Sequence, residues 1–404
     1  MANSKENKVW LAIIAGGQGE RLFPLSNKTC PKPFCQLDEE NTFCQATVKR
    51  FGIKPNHIVV ITTNEIQTAL AHEQLSEVGI PSTNFYQISP HFDYAGAMVK
   101  AAEFIKKFDK HATIINTPAD HYIVVDDEFK ATIAAAIKTA QEGSPTIVGV
   151  KIGDLAMMMS CGHATYDEPE PLVPPKGVFT VKGFIEKPDK KTAMKLLRQD
   201  GSACNTGINV WTVDTILSAI TSKEIGENGL KTDELMAKFD TLKLAVGRFK
   251  WLDCGTLKAL YEISKKTPNH KNANLGKGSI ERIDCRRSLF YAAEGINLRA
   301  ANISGCAVVA NSIGDQIVLT VAGFEELEND KNMRTLVEAY KCIQDYKNAN
   351  RFSVVPNNRV IIMNSDFSKE IKIGYLGVEG LLVYSHKEKD GTIDIAISGQ
   401  YLGI

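Results

Sequence analysis

Residues 13–26 read IIAGGQGERLFPLS, an apolar run that breaks into three glycines, Gly16, Gly17 and Gly19, with Arg21 two residues further on. The stretch opens as a buried strand and closes as a sequence suited to neither helix nor strand. In open α/β sheets, ligands bind beyond the carboxyl ends of strands, which is where this loop falls. Glycines let backbone N–H groups approach phosphate oxygens closely, and an arginine adds a bidentate charge. The two commonest phosphate motifs are absent: G-x-G-x-x-G requires glycine where Leu22 stands, and no glycine leads into the G-K-[ST] of a P-loop. Taken alone, the loop is as readily a surface turn with a solvated arginine. Its surroundings decide. Downstream, SNKTCPKPF sets Lys32 between Pro31 and Pro33, which predicts a stiff, extended backbone presenting an ammonium group.

Working outward, the segments to about residue 260 alternate short apolar runs with longer amphipathic ones, the signature of a parallel sheet covered by helices. Strands are predicted at 9–15, 57–63, 84–89, 112–118, 146–152 and 207–213, with helical spacing in NTFCQATVKRF, NEIQTALAHEQL, YAGAMVKAAEFIKKF and DDEFKATIAAAIKTA. After Ile152, MMMSCGHATYDEPEPLVPPKGVFTVKGFIEKPDKK predicts antiparallel strands joined by a proline-rich loop, and DKKTAMKLLRQDG a helix. The expected fold class is α/β, a Rossmann-like doubly wound mixed sheet with a small C-terminal β-rich domain. The domain expectation is 1–270 for the catalytic part and 280–404 for the β-rich part, joined by the polar stretch 265–279. Within the latter, 298–322 and 371–398 resemble each other as a candidate two-copy repeat, with a helix predicted between them in DKNMRTLVEAYKCIQDYKN.

Composition narrows the function classes. The 404 residues suit one large domain and a small one, on a soft prior of about 150 residues per domain. Lys plus Arg and Asp plus Glu balance at 47 each, so no overall field draws the chain to nucleic acid or to an anionic membrane. An anionic ligand must be held by local groups. No apolar run approaches the roughly 20 residues that span a bilayer, and MANSKENK lacks the apolar core of a secretory signal, so the expected location is cytoplasmic. Nine cysteines with no C-x-x-C pair predict reduced thiols, rather than a disulfide framework or a zinc site.

With Lys32 in place, AGGQGERLFPLSNKTCPKPF resembles the nucleotide-binding signature of the sugar-phosphate nucleotidyltransferases, a G-G-x-G-x-R-L-x-P-L-[ST] run followed by P-K-P. NTPADHYI, FIEKPD, CNTGINVWTVD and WLDCGTLKALYE follow in family order, so the resemblance covers about two-thirds of the chain. PADH and WLDCG resemble the mannose-1-phosphate guanylyltransferase branch, and the tail resembles the small β domain of bacterial enzymes of that type. Such a family joins a nucleoside triphosphate to a sugar-1-phosphate and releases pyrophosphate.

The resemblance implies that backbone from Ala15, Gly16, Gly17 and Gly19 wraps the triphosphate while Arg21 and Lys32 neutralise it. It implies Mg2+ held by Asp120 and Asp253, a hard cation that suits one or two carboxylates with substrate phosphate and water. It gives the sugar phosphate to Gly162, Glu186, Lys187, Asn205 and Gly207, with Arg21, Lys32, Asp120, Lys187 and Asp253 as the catalytic set. Pro90 and Gly96 are the nucleobase candidates, in a segment, SPHFDYAGAM, that departs from the R-N-T-A-P-A of bacterial guanylyltransferases. His121 is read as shaping its loop, because attack by a phosphate needs no proton removed.

The expected reaction is GTP plus mannose-1-phosphate to GDP-mannose. The alternatives are another base or sugar of the ADP-, UDP- or dTDP-hexose type, or a regulatory paralogue that binds an NDP-sugar without turnover. Partners are expected to be small-molecule substrates, with no nucleic acid and no membrane, and the terminal β domain is a candidate surface for self-association.

Overall fold

The computed structural model describes residues 8–17, 19, 22–38, 40–167, 177–225, 229–313, 316–324, 360–363, 371–373, 381–387, 390 and 392–398. The chain divides into two compact units, Met1–Gly17 with Cys44–Asp253, and Gln18–Phe43 with Cys254–Ile404. This division differs from a single cut near residues 270–280. The excursion after Gly17 groups with the second unit, so the division falls inside the glycine motif.

The first unit carries β1 (Val9–Ile14), β2 (Ile58–Thr62), β3 (Phe85–Gln87), β4 (Thr113–Pro118), β5 (His121–Ile123), β6 (Thr146–Val150), β7 (His163–Tyr166), β8 (Gly177–Ile185), β9 (Ser202–Thr212), β10 (Lys243–Gly247) and β11 (Trp251–Asp253). Nine of these form one mixed sheet in the order β3-β2-β1-β4-β9-β6-β10-β8-β7, and β5 and β11 form a separate antiparallel ribbon. β1 to β4 are mutually parallel. Their near-continuous apolar runs are what a strand buried on both faces requires. β9 enters antiparallel between β4 and β6 and also pairs with β7. This is the doubly wound mixed sheet expected from the alternation of apolar and amphipathic segments.

The helices are α1 (Phe43–Arg50), α2 (Glu65–Leu75), α3 (Tyr94–Lys106), α4 (Asp127–Gln141), α5 (Leu155–Ser160), α6 (Lys190–Leu197), α7 (Val213–Ala219) and α8 (Thr232–Met236). Several starts are set by side-chain caps that satisfy otherwise orphaned N–H groups. Asn64 accepts from Gln67, Asp93 from Gly96, Asp126 from Phe129 and Asp189 from Thr192. The MMMS segment, expected as strand, is helical, because Asp154 accepts the Met157 N–H at 2.8 Å and caps α5. β9 begins five residues earlier than the predicted 207 because its first half has β7 as a partner.

The second unit continues with α9 (Leu257–Ile263), β12 (Ala273–Leu275), β13 (Ser279–Ile283), β14 (Leu289–Ala292), β15 (Ile296–Ala301), β16 (Cys306–Ile313), β17 (Gln316–Gly323), β18 (Val360–Met363), β19 (Ile371–Ile373), β20 (Leu381–Lys387) and β21 (Ile393–Ser398). They form two five-stranded sheets, β12-β14-β16-β17-β18 and β13-β15-β21-β20-β19. The first strands stack as parallel rungs: Ala273 pairs with Leu289, Leu289 with Ala307, and Ser279 with Asn297. Phe290, Leu298, Val308, Leu319 and Ile395 are buried in a common core. The segments that resemble each other in sequence differ in placement. β15 lies in one sheet and β16 and β17 in the other, whereas β19, β20 and β21 share a sheet. The helix predicted over DKNMRTLVEAYKCIQDYKN lies outside the described residues.

The polar stretch expected to be a linker contains β12, the first rung. Its polarity misleads because Asn272 is buried with its amide paired: Nδ2 donates to Cys285 O at 2.7 Å, and Oδ1 accepts the Ser288 N–H at 3.1 Å. Asn272→Ala leaves both backbone groups short of a partner. A loss of about 1–3 kcal/mol is expected, read as a lower urea midpoint for the second unit.

Candidate active site

In the first unit, β1 is followed by Ala15, whose N–H donates to Ile61 O at 2.8 Å. The Gly16 carbonyl accepts from Gln67 Nε2 at 3.0 Å and Thr63 Oγ1 at 3.3 Å. With that carbonyl engaged on the α2 side, the loop that continues through exposed Gly17 is fixed at its root.

Asp120 and Asp253 are brought together by the β5–β11 ribbon. The register sets Asp253 opposite His121, and Asp120 immediately precedes His121. His121 is held on several sides. Trp251 Nε1 donates to its Nδ1 at 3.2 Å, with the two rings edge to face, and its backbone carbonyl accepts from Arg50 Nη2 at 2.7 Å. Because Nδ1 accepts, the ring proton sits on Nε2, which faces Asp120 Oδ1 at 3.8 Å. His121 is thus a neutral positioning group for the aspartate beside it.

The CNTGIN turn lies against this ribbon. Between the pairs Ile147–Asn209 and Gly149–Asn205 the register shifts, so β9 bulges. Gly207 sits in the bulge at φ +75, and a Cβ there would lie 2.8 Å from Pro118 Cγ and 3.5 Å from His121 Cε1, which is why only glycine fits. Asn205 Oδ1 accepts the Gly207 N–H at 3.1 Å, and the Asn205 N–H donates to Gly162 O at 2.8 Å. Gly162 in turn makes room for a carboxylate, since a Cβ there would stand 2.6 Å from Glu186 Oε2. Gly162, Glu186, Asn205 and Gly207 therefore form one connected group. Burial pushes the Glu186 carboxyl up, Lys187 partly opposes this, and Asp233 adds to it. Lys187 is exposed and held in left-handed backbone at φ 44, a conformation that side chains rarely adopt.

The segment expected to face a nucleobase begins at exposed Pro90 and runs into the capped start of α3. Gly96 is buried under Phe92, where a Cβ would stand 3.1 Å from the ring, so packing accounts for it. Sequence reasoning missed Tyr94. Its hydroxyl donates to Gly207 O at 2.5 Å and is held protonated by burial and by the charge of Asp120. A tyrosine beside a helix start carries no sequence signal of that reach. Arg50 was missed for the same reason, and Trp251, though it opens the WLDCG motif, was given no role.

In the second unit, Gly19 lies at φ +69 against the side chain of Lys32, where a Cβ would collide. Arg21 lies outside the described residues. Lys32 departs from its predicted conformation. It opens a 3₁₀ turn, Lys32–Phe34, closed by Phe34 N–H to Pro31 O at 2.9 Å, and it is 3% exposed with its ammonium 5.7 Å from the Phe43 ring centre. Burial of Phe34 outweighs the extended preference of a residue before proline.

The cysteines require a correction. Cys161 and Cys204, expected to be reduced thiols, form a disulfide across 43 residues of sequence, with His163 beside them. The pairing of β7 with β9 brings them together. Among the described residues, Cys30, Cys35, Cys44, Cys254, Cys285 and Cys306 are not disulfide-bonded.

Residues 11–270 match the sequence profile of the family described as Nucleotidyl transferase. The chain belongs to that family. A mannose-1-phosphate guanylyltransferase of Sinorhizobium fredii is 26% identical over 335 residues, 75% of this chain and 64% of that relative. Another of Salmonella montevideo is 25% identical over 368 residues, 81% and 76% of the two chains. The alginate biosynthesis protein AlgA of Pseudomonas putida is 24% identical over 310 residues, 69% and 62%. The chain thus spans a little under two thirds of the Sinorhizobium and Pseudomonas relatives. A Thermus thermophilus structure described as mannose-1-phosphate geranyltransferase has a TM-score of 0.61 at 22% identity, covering 83% of this chain and 99% of that one, which shows a shared fold. No helix among the described residues of this nucleotidyl transferase family member is long and apolar enough to cross a membrane.

The bulge and its tyrosine make a prediction about stability. Tyr94→Phe is expected to cost about 1 kcal/mol, because Asn209 Nδ2 still donates to Gly207 O at 2.9 Å. Gly207→Ala is expected to cost more, through left-handed strain and the collision with Pro118. Urea unfolding midpoints in that rank order check the assignment.

Proposed function

We propose that the chain transfers a nucleotidyl group from a nucleoside triphosphate to a hexose-1-phosphate, releasing pyrophosphate, and that the pair is GTP and mannose-1-phosphate. The observation that carries the transfer is the convergence of Asp120 and Asp253 at one end of the β5–β11 ribbon, beside the turn that bears Asn205 and Gly207. The choice of guanine and mannose is supported by the relatives named mannose-1-phosphate guanylyltransferase.

The attacking sugar phosphate is already largely dianionic near neutral pH, since the second pKa of a phosphate monoester is about 6. No general base is needed, in keeping with a His121 whose Nδ1 already accepts from Trp251. The task is to join two polyanions, so orientation and charge neutralisation supply most of the acceleration. Asp120 and Asp253 offer the hard oxygen donors that suit Mg2+, which when bound would neutralise phosphate charge. Arg21 and Lys32 are assigned to the triphosphate and the departing pyrophosphate. Glu186 accepts from sugar hydroxyls, Asn205 and Gly207 shape the sugar side, and Lys187 holds the sugar phosphate.

A panel of nucleoside triphosphates against hexose-1-phosphates, read by pyrophosphate release, tests the proposal. Turnover is expected with GTP and mannose-1-phosphate and is abolished by chelation of Mg2+. Turnover confined to another pair would reassign the substrate, and none with any pair would overturn the enzyme reading. Asp253→Asn is expected to lower kcat by about 10²–10³-fold, the scale of losing one preorganised electrostatic group.

The raised pKa of Glu186 sets a pH dependence. As pH falls, this carboxylate protonates before an ordinary glutamate and loses acceptor capacity, so KM for the sugar phosphate should rise at an unusually high pH. In Glu186→Gln that acid limb should vanish from a KM–pH profile.

A further inference from the structure

Cys161, His163 and Cys204 have no part in the transfer described above. The register of β7 on β9 sets His163 opposite Cys204, and Cys161, two residues before His163, lies on the same side. The Cys161 and Cys204 Cα atoms are 6.5 Å apart. His163 is fully buried. Its Nε2 stands 2.7 Å from Met158 O and 3.7 Å from Cys161 Sγ, while Nδ1 has no hydrogen-bond partner among the described residues. One ligand atom from each of the three residues lies within 4.8 Å of the others.

We propose that this cluster is a binding site for a thiophilic cation, a Cys2His site for zinc(II), which the disulfide closes and a dithiol reductant opens. The chemistry balances. A dithiol attacks the disulfide, leaves as its own cyclic disulfide, and two electrons and two protons end on Cys161 and Cys204 as thiols. Zinc binding then displaces those two protons, and two thiolates cancel the charge of the ion, so the buried site is neutral overall. Thiolate and imidazole donors select zinc or copper(I) over magnesium, which prefers oxygen. Two Zn–S bonds of about 2.3 Å at a tetrahedral angle set the sulfurs roughly 3.8 Å apart, a separation the reduced pair reaches by turning one side chain. A zinc ion held by three protein ligands keeps a fourth position for water. The disulfide and the metal are alternative ways to tie the start of β7 to β9. Both act on the strap in which Gly162 O accepts the Asn205 N–H.

The test reads metal and not turnover, so its outcome is separate from that of the proposed reaction. The full chain is reduced with a dithiol, freed of reductant and metal without oxygen, and titrated with Zn2+ against a chromophoric chelator, then with Co2+ as a spectroscopic probe. The reduced wild type is expected to take up about one equivalent of Zn2+ beyond Cys161→Ser. Its Co2+ form should show thiolate charge-transfer bands in the near ultraviolet that are lost in Cys161→Ser and altered in His163→Gln, and the oxidised protein should show neither. Equal uptake by reduced wild type and Cys161→Ser overturns the site. Should the variants fail to fold, alkylation of the reduced wild type followed by mass spectrometry decides. Zn2+ should slow labelling of Cys161 and Cys204, and unchanged rates for both overturn the proposal.

Discussion

Strand β9 has to satisfy partners on both sides along its whole length, and the way it does so shapes the first unit. β6 pairs with both halves, β4 with the second half and β7 with the first. A straight strand would bury Asn205 to Ile208 in a regular ladder. The bulge takes Thr206 to Ile208 out of that ladder, and Thr206 Oγ1 donates to Val148 O at 2.8 Å, satisfying a carbonyl where the register breaks. Gly207 can then meet Pro118 and His121, Tyr94 can reach the Gly207 carbonyl, and Asn205 can pair with Gly162. A left-handed glycine at one position in the sheet thus joins the end of β4, the start of α3 and the strap before β7.

The β5–β11 ribbon depends on that arrangement and adds the carboxylates. Two three-residue strands are too short to be stable alone. They are held by the Trp251–His121 contact and by Arg50 on the His121 carbonyl. The consequence for chemistry is that Asp120 follows a rigid β4, while its histidine neighbour is fixed as a neutral tautomer. The imidazole is committed to holding the ribbon together through Trp251. In the second unit a comparable device recurs in Asn272, a polar side chain committed to two backbone groups so that a short rung can stack.

Much of the fold was legible. Apolar runs of strand length alternated with amphipathic segments, and the four parallel strands and their helices start and stop close to the predicted bounds. The caps at Asp93 and Asp126 that fix two of the helix starts are seen in the structure. Legibility failed where a local preference met a tertiary demand. Lys32 takes a buried 3₁₀ turn despite its flanking prolines, MMMS is helical under the Asp154 cap, and a polar stretch that reads as linker is a solenoid rung. The candidate residues Gly162, Glu186, Asn205 and Gly207 were named from motifs, but their connection runs through hydrogen bonds and close approaches that no motif states.

The sequence by itself determined the sheet class, the order of motifs and the resemblance to one family, because apolar period, turn chemistry and motif spacing are local properties. Only the tertiary structure decided which residues share a neighbourhood: Asp120 with Asp253, Tyr94 with Gly207, and Cys161 with Cys204 across 43 residues. Those meetings are set by strand register, which arises from pairing between distant segments and shifts where a bulge intervenes, so no single stretch of sequence contains it.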